Sequence, residues 1–429
     1  MEAHVWFDTE TLHARRERAA RSLGDTGPIV VVGAGEPIGK PGGHDQTYEF
    51  IPHPEYMWLT GARRPGGAVV YVPGQGFTDF VIPASADERL WEGEPEIPEG
   101  RDIASLRAFL DENGRGREVV RLGSLVDETA HLVPASADVR ARMDHARRPK
   151  DDAEISLYTR AVDATVRGHA RAREVTRPGV TERFIQIELE AEMFRAGAER
   201  TGYGTIVGAG ENAAVLHFSP SSRVVGEKDL VLVDAGAEIA GYTADVTRTY
   251  AATGTFTPEQ QAIYDAVLAA QLAGIALLKP GTEWHDVHRA TARVLALALV
   301  DLGLLNGEID GLLESEAIAL FYPHGVGHMV GLGVRDVGGR APGRETPRMC
   351  CGARPRVDMA LEEGFLMTVE PGLYFVPAIL DDEARRARFK DAVSWSKLDR
   401  WRGLGGARIE DDVLVTREGP RVLTAAIPK

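Results

Sequence analysis

The sequence predicts two α/β domains, the second assembled from two similar halves. Three observations carry that prediction. A chain of 429 residues exceeds the usual size of one domain. Strand-like apolar runs alternate with helical ones from the N-terminal segment onward. Beyond residue 148 the same order of helix, Pro-Gly, helix and strands is read twice.

The first domain is expected over residues 1–147 and the second over 148–429. In the first, an amphipathic helical pattern leads into the apolar run Ile29 to Val32, a strand closed by the turn GAGEP. GAGEPIG invites a phosphate-loop reading. Its last glycine, however, falls one residue too late for GxGxxG, and GxxxxGK fails altogether. The runs GAVVYVPG and FTDFVIPA read as further strands and Ile103 to Asn113 as a helix. The polar, proline-containing stretch DHARRPKDD marks the boundary.

In the second domain a helix from Glu154 ends before Pro178-Gly179. The next is capped by Thr181 and carries Phe184, Ile185, Leu189 and Phe194 on roughly one face. Strands follow, at Leu230 to Val233 and on through Tyr250. Thr257-Pro258-Glu259 then starts a helix that runs to Lys279, Pro280-Gly281 breaks it, and another begins near Trp284. The recurrence suggests an internal duplication, although a helix, Pro-Gly, helix junction is common enough to recur by accident.

Composition narrows the function classes. Hydrophobic residues at 44% and charged residues at 26% are ordinary for a soluble globular chain. A formal charge of −15 argues against a nucleic-acid surface. Cys350 and Cys351 are the only cysteines and, being adjacent, suit neither an ordinary disulfide nor a CxxC clip, which points to a reducing cytoplasm. The opening stretch MEAHVWFDTETLHARRERA lacks the apolar core of a signal peptide. No apolar run reaches about 18 residues, so no membrane is expected.

The chemistry lies in five short motifs. Asp234 ends the apolar run LVLVD, and Asp245 lies eleven residues later in GYTADVTRTY. A carboxylate at the end of a buried strand is costly unless it faces a cation, although aspartates at strand ends also serve as turn formers. In HGVGH, His324 and His328 are four apart, but Gly325 and Gly327 disfavour a helix; an extended loop open to close approach is expected. Glu370 follows FLMTV, and Glu410 follows GGARI. Four carboxylates and one imidazole form an oxygen-rich set suited to Mn²⁺ or another borderline metal, and able to bridge two ions. Such a pair can hold a hydroxide and polarise a carbonyl, which is hydrolase chemistry.

GENAAVLH, VDAG, TADVTRT, HGVGH, EPG and RIED, in this order, resemble the metallopeptidase family with the pita-bread fold, which includes methionine aminopeptidase, aminopeptidase P and prolidase. The likeness covers about Arg148 to Val422 and implies an α/β pita-bread catalytic domain with internal pseudo-twofold duplication, after a smaller creatinase-like α/β domain. EPGLYFVPAIL and GLGGARIEDD look most like prolidases, the Xaa-Pro dipeptidases. Carried over, the resemblance makes Asp234, Asp245, His328, Glu370 and Glu410 ligands of two divalent ions, Mn²⁺ first, with Zn²⁺ or Co²⁺ as alternatives. Glu370 would also be the proton shuttle, His217 would hydrogen-bond the developing oxyanion, and His324 would line the proline side. Tyr203 would stand near the metals, and Arg408 would orient the bridging carboxylates.

Arg356, fourteen residues before Glu370, matches the prolidase arginine that grips the substrate carboxylate. Such a clamp would measure substrate length and favour dipeptides. Arg335 stands where the family has a second substrate-contacting histidine, seven residues beyond His328, and would put a second cation in the site. The expected activity is therefore Xaa-Pro dipeptidase, with Xaa-Pro aminopeptidase on longer peptides as the alternative and a non-catalytic binding protein as a distant third. A homodimer acting on Xaa-Pro dipeptides or short peptides is implied by the same likeness.

Overall fold

The computed structural model describes residues 6–43, 45–344 and 346–429, so the first five residues of the opening stretch lie outside the description. Two compact units are formed, Met1–Arg148 and Pro149–Lys429. The first is built on a six-stranded mixed sheet in which Ile29–Gly33 is central, antiparallel to Ala68–Val72 and parallel to Val119–Gly123. Ile29–Gly33 and Ala68–Val72 are buried throughout, which is why they read as unbroken apolar runs instead of alternating ones. Helix Thr9–Leu23, capped by Asp8 accepting from the Thr11 amide at 2.7 Å, belongs to the same unit.

The second unit repeats itself. Helix Asp152–Val175 starts with a reciprocal capping box between Asp151 and Glu154, and Pro258–Ala276 starts with another between Thr257 and Gln260. Each leads through Pro-Gly to a second helix, Glu182–Arg195 or Trp284–Asp301. At the two junctions Gly179 and Gly281 take left-handed φ values of 90° and 89°. Gly179 N–H donates to Val225 O at 2.9 Å, and Gly281 N–H donates to Leu361 O at 2.8 Å. The bridges Thr181↔Val224 and Glu283↔Ala360 follow at matching places. Accidental junctions would not share such bonding, so the recurrence is a structural duplication.

Two sequence expectations shift in detail. The buried stripe of Glu182–Arg195 is Ile185, Leu189 and Met193, at strict i, i+4, i+8 spacing; Phe184 and Phe194 lie off it, 37% and 47% exposed. The helix starting at Pro258 ends at Ala276, three residues early, because Leu277 and Leu278 close tighter bonds to Gly274 and Ile275 before Pro280.

Each half contributes a three-stranded antiparallel sheet: Ile206–Ala209, Leu230–Asp234 and Thr247–Ala251 in one, Leu366–Val369, Asp411–Thr416 and Gly419–Val422 in the other. In both, the first strand of the central pair ends in or at a carboxylate, Asp234 or Glu370, and a second carboxylate, Asp245 or Glu410, precedes its antiparallel partner. The duplication thus places two acids at corresponding positions of each half. The halves are joined there: Glu410 N–H donates to Thr247 O at 3.1 Å, Asp245 N–H to Asp412 Oδ2 at 2.9 Å, and Thr249 Oγ1 to the Arg408 carbonyl at 3.0 Å.

Candidate active site

GYTADVTRTY is not one strand. Tyr242–Thr243 and Thr247–Ala251 are separate, and the break between them turns Asp245 inward. HGVGH is extended and has no helix, and its glycines serve close backbone approach. A Cβ on Gly327 would stand 2.1 Å from Thr368 O, and one on Gly325 would stand 3.1 Å from Pro355 Cα. Thr368 N–H donates to His328 O at 2.8 Å, and His328 N–H to Thr368 Oγ1 at 3.1 Å, which pins the loop against the Glu370 strand.

A cavity of about 440 Å³ opens at this junction, and every site residue singled out in the sequence lines it. One ligand atom each of Asp245, His328 and Glu410 lie within 4.8 Å of one another. His328 Nδ1–H donates to Met329 O at 2.9 Å, leaving the Nε2 lone pair aimed at Asp245 Oδ2, 3.3 Å away, and at Glu370 Oε1, 3.7 Å away. Asp234 accepts from Tyr203 Oη and from Arg408 Nη2, both at 2.6 Å.

The electrostatics describe a site short of positive charge. Burial raises the pKa of Asp234, opposed by Arg408 and reinforced by Asp245. Burial, together with repulsion from Asp245, Glu370 and Asp234, lifts Glu410 well above the usual carboxylate range. Glu370 rises for the same reason, relieved in part by His328 and Arg408. Burial alone would lower His328, but Asp245 and Glu370 outweigh it and raise it. A proton on Nε2 would occupy the place a cation takes. Aligned lone pairs, mutual repulsion and oxygen-rich donors all fit divalent metal at this cluster. Glu370 is its most accessible acid, 18% exposed against 7% for Asp245 and 10% for Asp234.

Sequence reasoning missed three supporting groups. Tyr374 Oη accepts from Arg408 Nη1 at 3.0 Å and stands 2.9 Å from His324 Nε2, whose Nδ1 meets Gly325 O at 2.9 Å. Burial and Arg408 depress His324 to about 3, so its ring is neutral and accepts from Tyr374 at the cavity wall. Thr247 Oγ1 donates to Glu410 Oε2 at 2.6 Å and accepts from Arg408 Nε at 3.0 Å. Buried Asp412 holds the Asp245 amide. All three lie inside the quoted motifs, EPGLYF, TADVTRT and RIEDD, which was the available signal. His217 and Arg335 are exposed at the cavity.

A duplicated α/β shell closing on a buried, oxygen-rich ligand set defines a metallohydrolase. The chain belongs to metallopeptidase family M24, whose model matches residues 156–417. The aminopeptidase P N-terminal domain model matches residues 12–103. The chain is 35% identical over 468 aligned positions to Xaa-Pro aminopeptidase 1 of Streptomyces coelicolor, covering 99% of this chain and 88% of that protein. It is 31% identical to the Xaa-Pro aminopeptidase of Haemophilus influenzae, covering 96% and 94%. Among solved structures it superposes on Pseudomonas aeruginosa aminopeptidase PepP with a TM-score of 0.78 and 32% identity, over 99% of this chain and 96% of that one. It also matches Escherichia coli aminopeptidase P with the inhibitor Pro-Leu, with a TM-score of 0.79, 28% identity and the same coverage.

These relatives overturn the dipeptidase expectation: they are Xaa-Pro aminopeptidases, and the likeness includes the N-terminal domain. The physical reason lies at Arg356. It borders more open space than a length-measuring clamp would, lining both this cavity and a second of about 520 Å³ with which His324 and Gly325 are also shared. No helix among the described residues is long and apolar enough to cross a membrane.

Proposed function

We propose that this chain is a divalent-metal Xaa-Pro aminopeptidase, releasing the N-terminal residue from peptides with proline second. The observation that carries the reading is the likeness to Xaa-Pro aminopeptidases over both units. Asp234, Asp245, His328, Glu370 and Glu410 would hold two ions, Mn²⁺ first, with Zn²⁺ or Co²⁺ as alternatives; one related E. coli aminopeptidase P structure is Zn-substituted. Bound there, the ions would activate the attacking water and polarise the scissile carbonyl.

The remaining work belongs to side chains. Glu370, the accessible acid, accepts the water proton on its carboxylate and returns it to the departing proline nitrogen. His217, at the cavity, donates to the developing oxyanion. The neutral ring of His324, fixed by Tyr374 and Gly325, walls the proline side. Tyr203 and Arg408 orient Asp234, and Arg408 reaches Glu410 through Thr247. Arg335 and Arg356 face the peptide beyond proline. The reading includes a cytoplasmic homodimer, supported by the family likeness and by two unpaired cysteines, and light scattering tests the dimer.

Glu370→Gln tests the chemistry. With Mn²⁺ and an Ala-Pro-Gly substrate, kcat is expected to fall by about 10²- to 10⁴-fold, the usual worth of a general acid–base. A fall of less than about tenfold at full metal loading would contradict the assignment.

A further inference from the structure

The second cavity adjoins the first, sharing Arg356, His324 and Gly325 with it, and has an unusual charge for this chain. Its wall is an extended segment in which Ala353, Pro355 and Val357 are buried while Arg354 and Arg356 alternate outward. Gly339–Arg340 pairs in parallel with Val357–Asp358, and the register Arg340↔Asp358 brings a third arginine to the same wall. Asp358 is the one carboxylate among the described lining residues. It is already matched, accepting from Arg348 Nε at 2.9 Å and from Arg344 Nη1 at 2.9 Å.

Among the described residues no carboxylate lies within 4.0 Å of a side-chain nitrogen of Arg340, Arg354 or Arg356. Arg335, on the catalytic side of Arg356, likewise has none, and its charge bears on Arg356. In a protein of net charge −15, a run of unmatched guanidinium groups leading away from the reaction centre is a local reversal of sign. Three exposed arginines could simply be solvated, as isolated surface charges are. These are not isolated. They share one trough, are backed by buried residues and Pro355, and adjoin the site cavity at Arg356, His324 and Gly325.

Resting on the aminopeptidase reading, we propose that the trough of Arg340, Arg354 and Arg356 receives the downstream part of the substrate and selects Xaa-Pro peptides with Asp or Glu after the third residue. The fork of each guanidinium suits a carboxylate, and complementary charge discriminates between partners more than it adds raw affinity.

The test compares Ala-Pro-Gly-Glu-Glu, Ala-Pro-Gly-Gln-Gln and Ala-Pro-Gly-Lys-Lys with Mn²⁺-loaded protein at low salt. kcat/KM is expected to fall in that order, with roughly three- to tenfold between the extremes for two exposed ion pairs. The spread should collapse at an ionic strength on the order of 1 M. In an Arg340→Glu/Arg354→Glu double variant the order should reverse, and the milder Arg340→Gln/Arg354→Gln pair, checked for an unchanged melting temperature, should erase it. Equal values for the three peptides, or an order indifferent to both variants, would overturn the inference while leaving the aminopeptidase reading intact. If no peptide is cleaved, that reading fails instead. The trough is then judged by fluorescence anisotropy of the same peptides labelled at the C-terminus: preference for Glu-Glu over Lys-Lys that is lost in the variants upholds it, and equal binding refutes it.

Discussion

Arg408 is a guanidinium buried against the carboxylate cluster, and its bonds to Asp234, Thr247 and Tyr374 tie together strands from both halves. Removing it would leave Asp234 with its Tyr203 bond alone and no facing cation, among acids already raised by burial and mutual repulsion. Arg408→Met should therefore destabilise the metal-free protein by about 3–5 kcal/mol in urea unfolding, with part of the loss recovered on adding Mn²⁺. A loss below about 1 kcal/mol would show that the cluster does not need this cation. Arg408 was legible in the sequence because it sits two residues before Glu410 in one motif. Tyr374 was not. Its encounter with Arg408 depends on the antiparallel pairing of Gly372–Tyr374 with Gly406–Arg408, a long-range register that no local pattern encodes.

At the scale of elements, the helices and their junctions were the most legible features. Capping residues, Pro at the first helical turn and the Pro-Gly breaks act over a few residues, and they recur at Thr257-Pro258 and at Gly179 and Gly281 as read. The break that turns Asp245 inward was hidden, because TADV has the composition of a strand and only the pairing on either side interrupts it. The HGVGH loop makes the glycine argument testable. Gly327→Ala would force Cβ against Thr368 O and push His328 from its neighbours, so metal bound per chain should drop and stability should fall by on the order of 2 kcal/mol. Full metal content in that variant, by elemental analysis, would contradict the close-approach role.

The helix Trp284–Asp301 offers a pH test at a residue outside the ligand set, His288, whose ring packs on Tyr322 behind His324. His288 is buried, with Nε2 3.1 Å from Cys350 O, and burial depresses its pKa from 6.5 to about 4. Between those values the unfolded chain binds a proton that the folded chain refuses, so the neutral ring's contribution is full above pH 6.5 and is lost as pH falls toward about 4. From pH 7 to pH 5 the native protein should lose about 2 kcal/mol more than His288→Gln, which keeps a donor for Cys350 O and does not titrate. Parallel pH dependences in urea unfolding would refute this assignment.

For the whole molecule, the sequence yielded more of the site than of its specificity. Ligand-type residues announce themselves because buried carboxylates at strand ends have few uses, and the duplication explains why two fall in each half. Substrate length was misread because it depends on the open space that Arg356 borders, and open volume leaves no trace in the order of residues. The most direct test of the account is a side-by-side assay of Ala-Pro-Gly and Ala-Pro with Mn²⁺-loaded protein, following free alanine. Rapid release from the tripeptide is expected, with at least about tenfold lower kcat/KM on the dipeptide, the effect of a lost subsite. Cleavage of Ala-Pro as fast as, or faster than, Ala-Pro-Gly would contradict it.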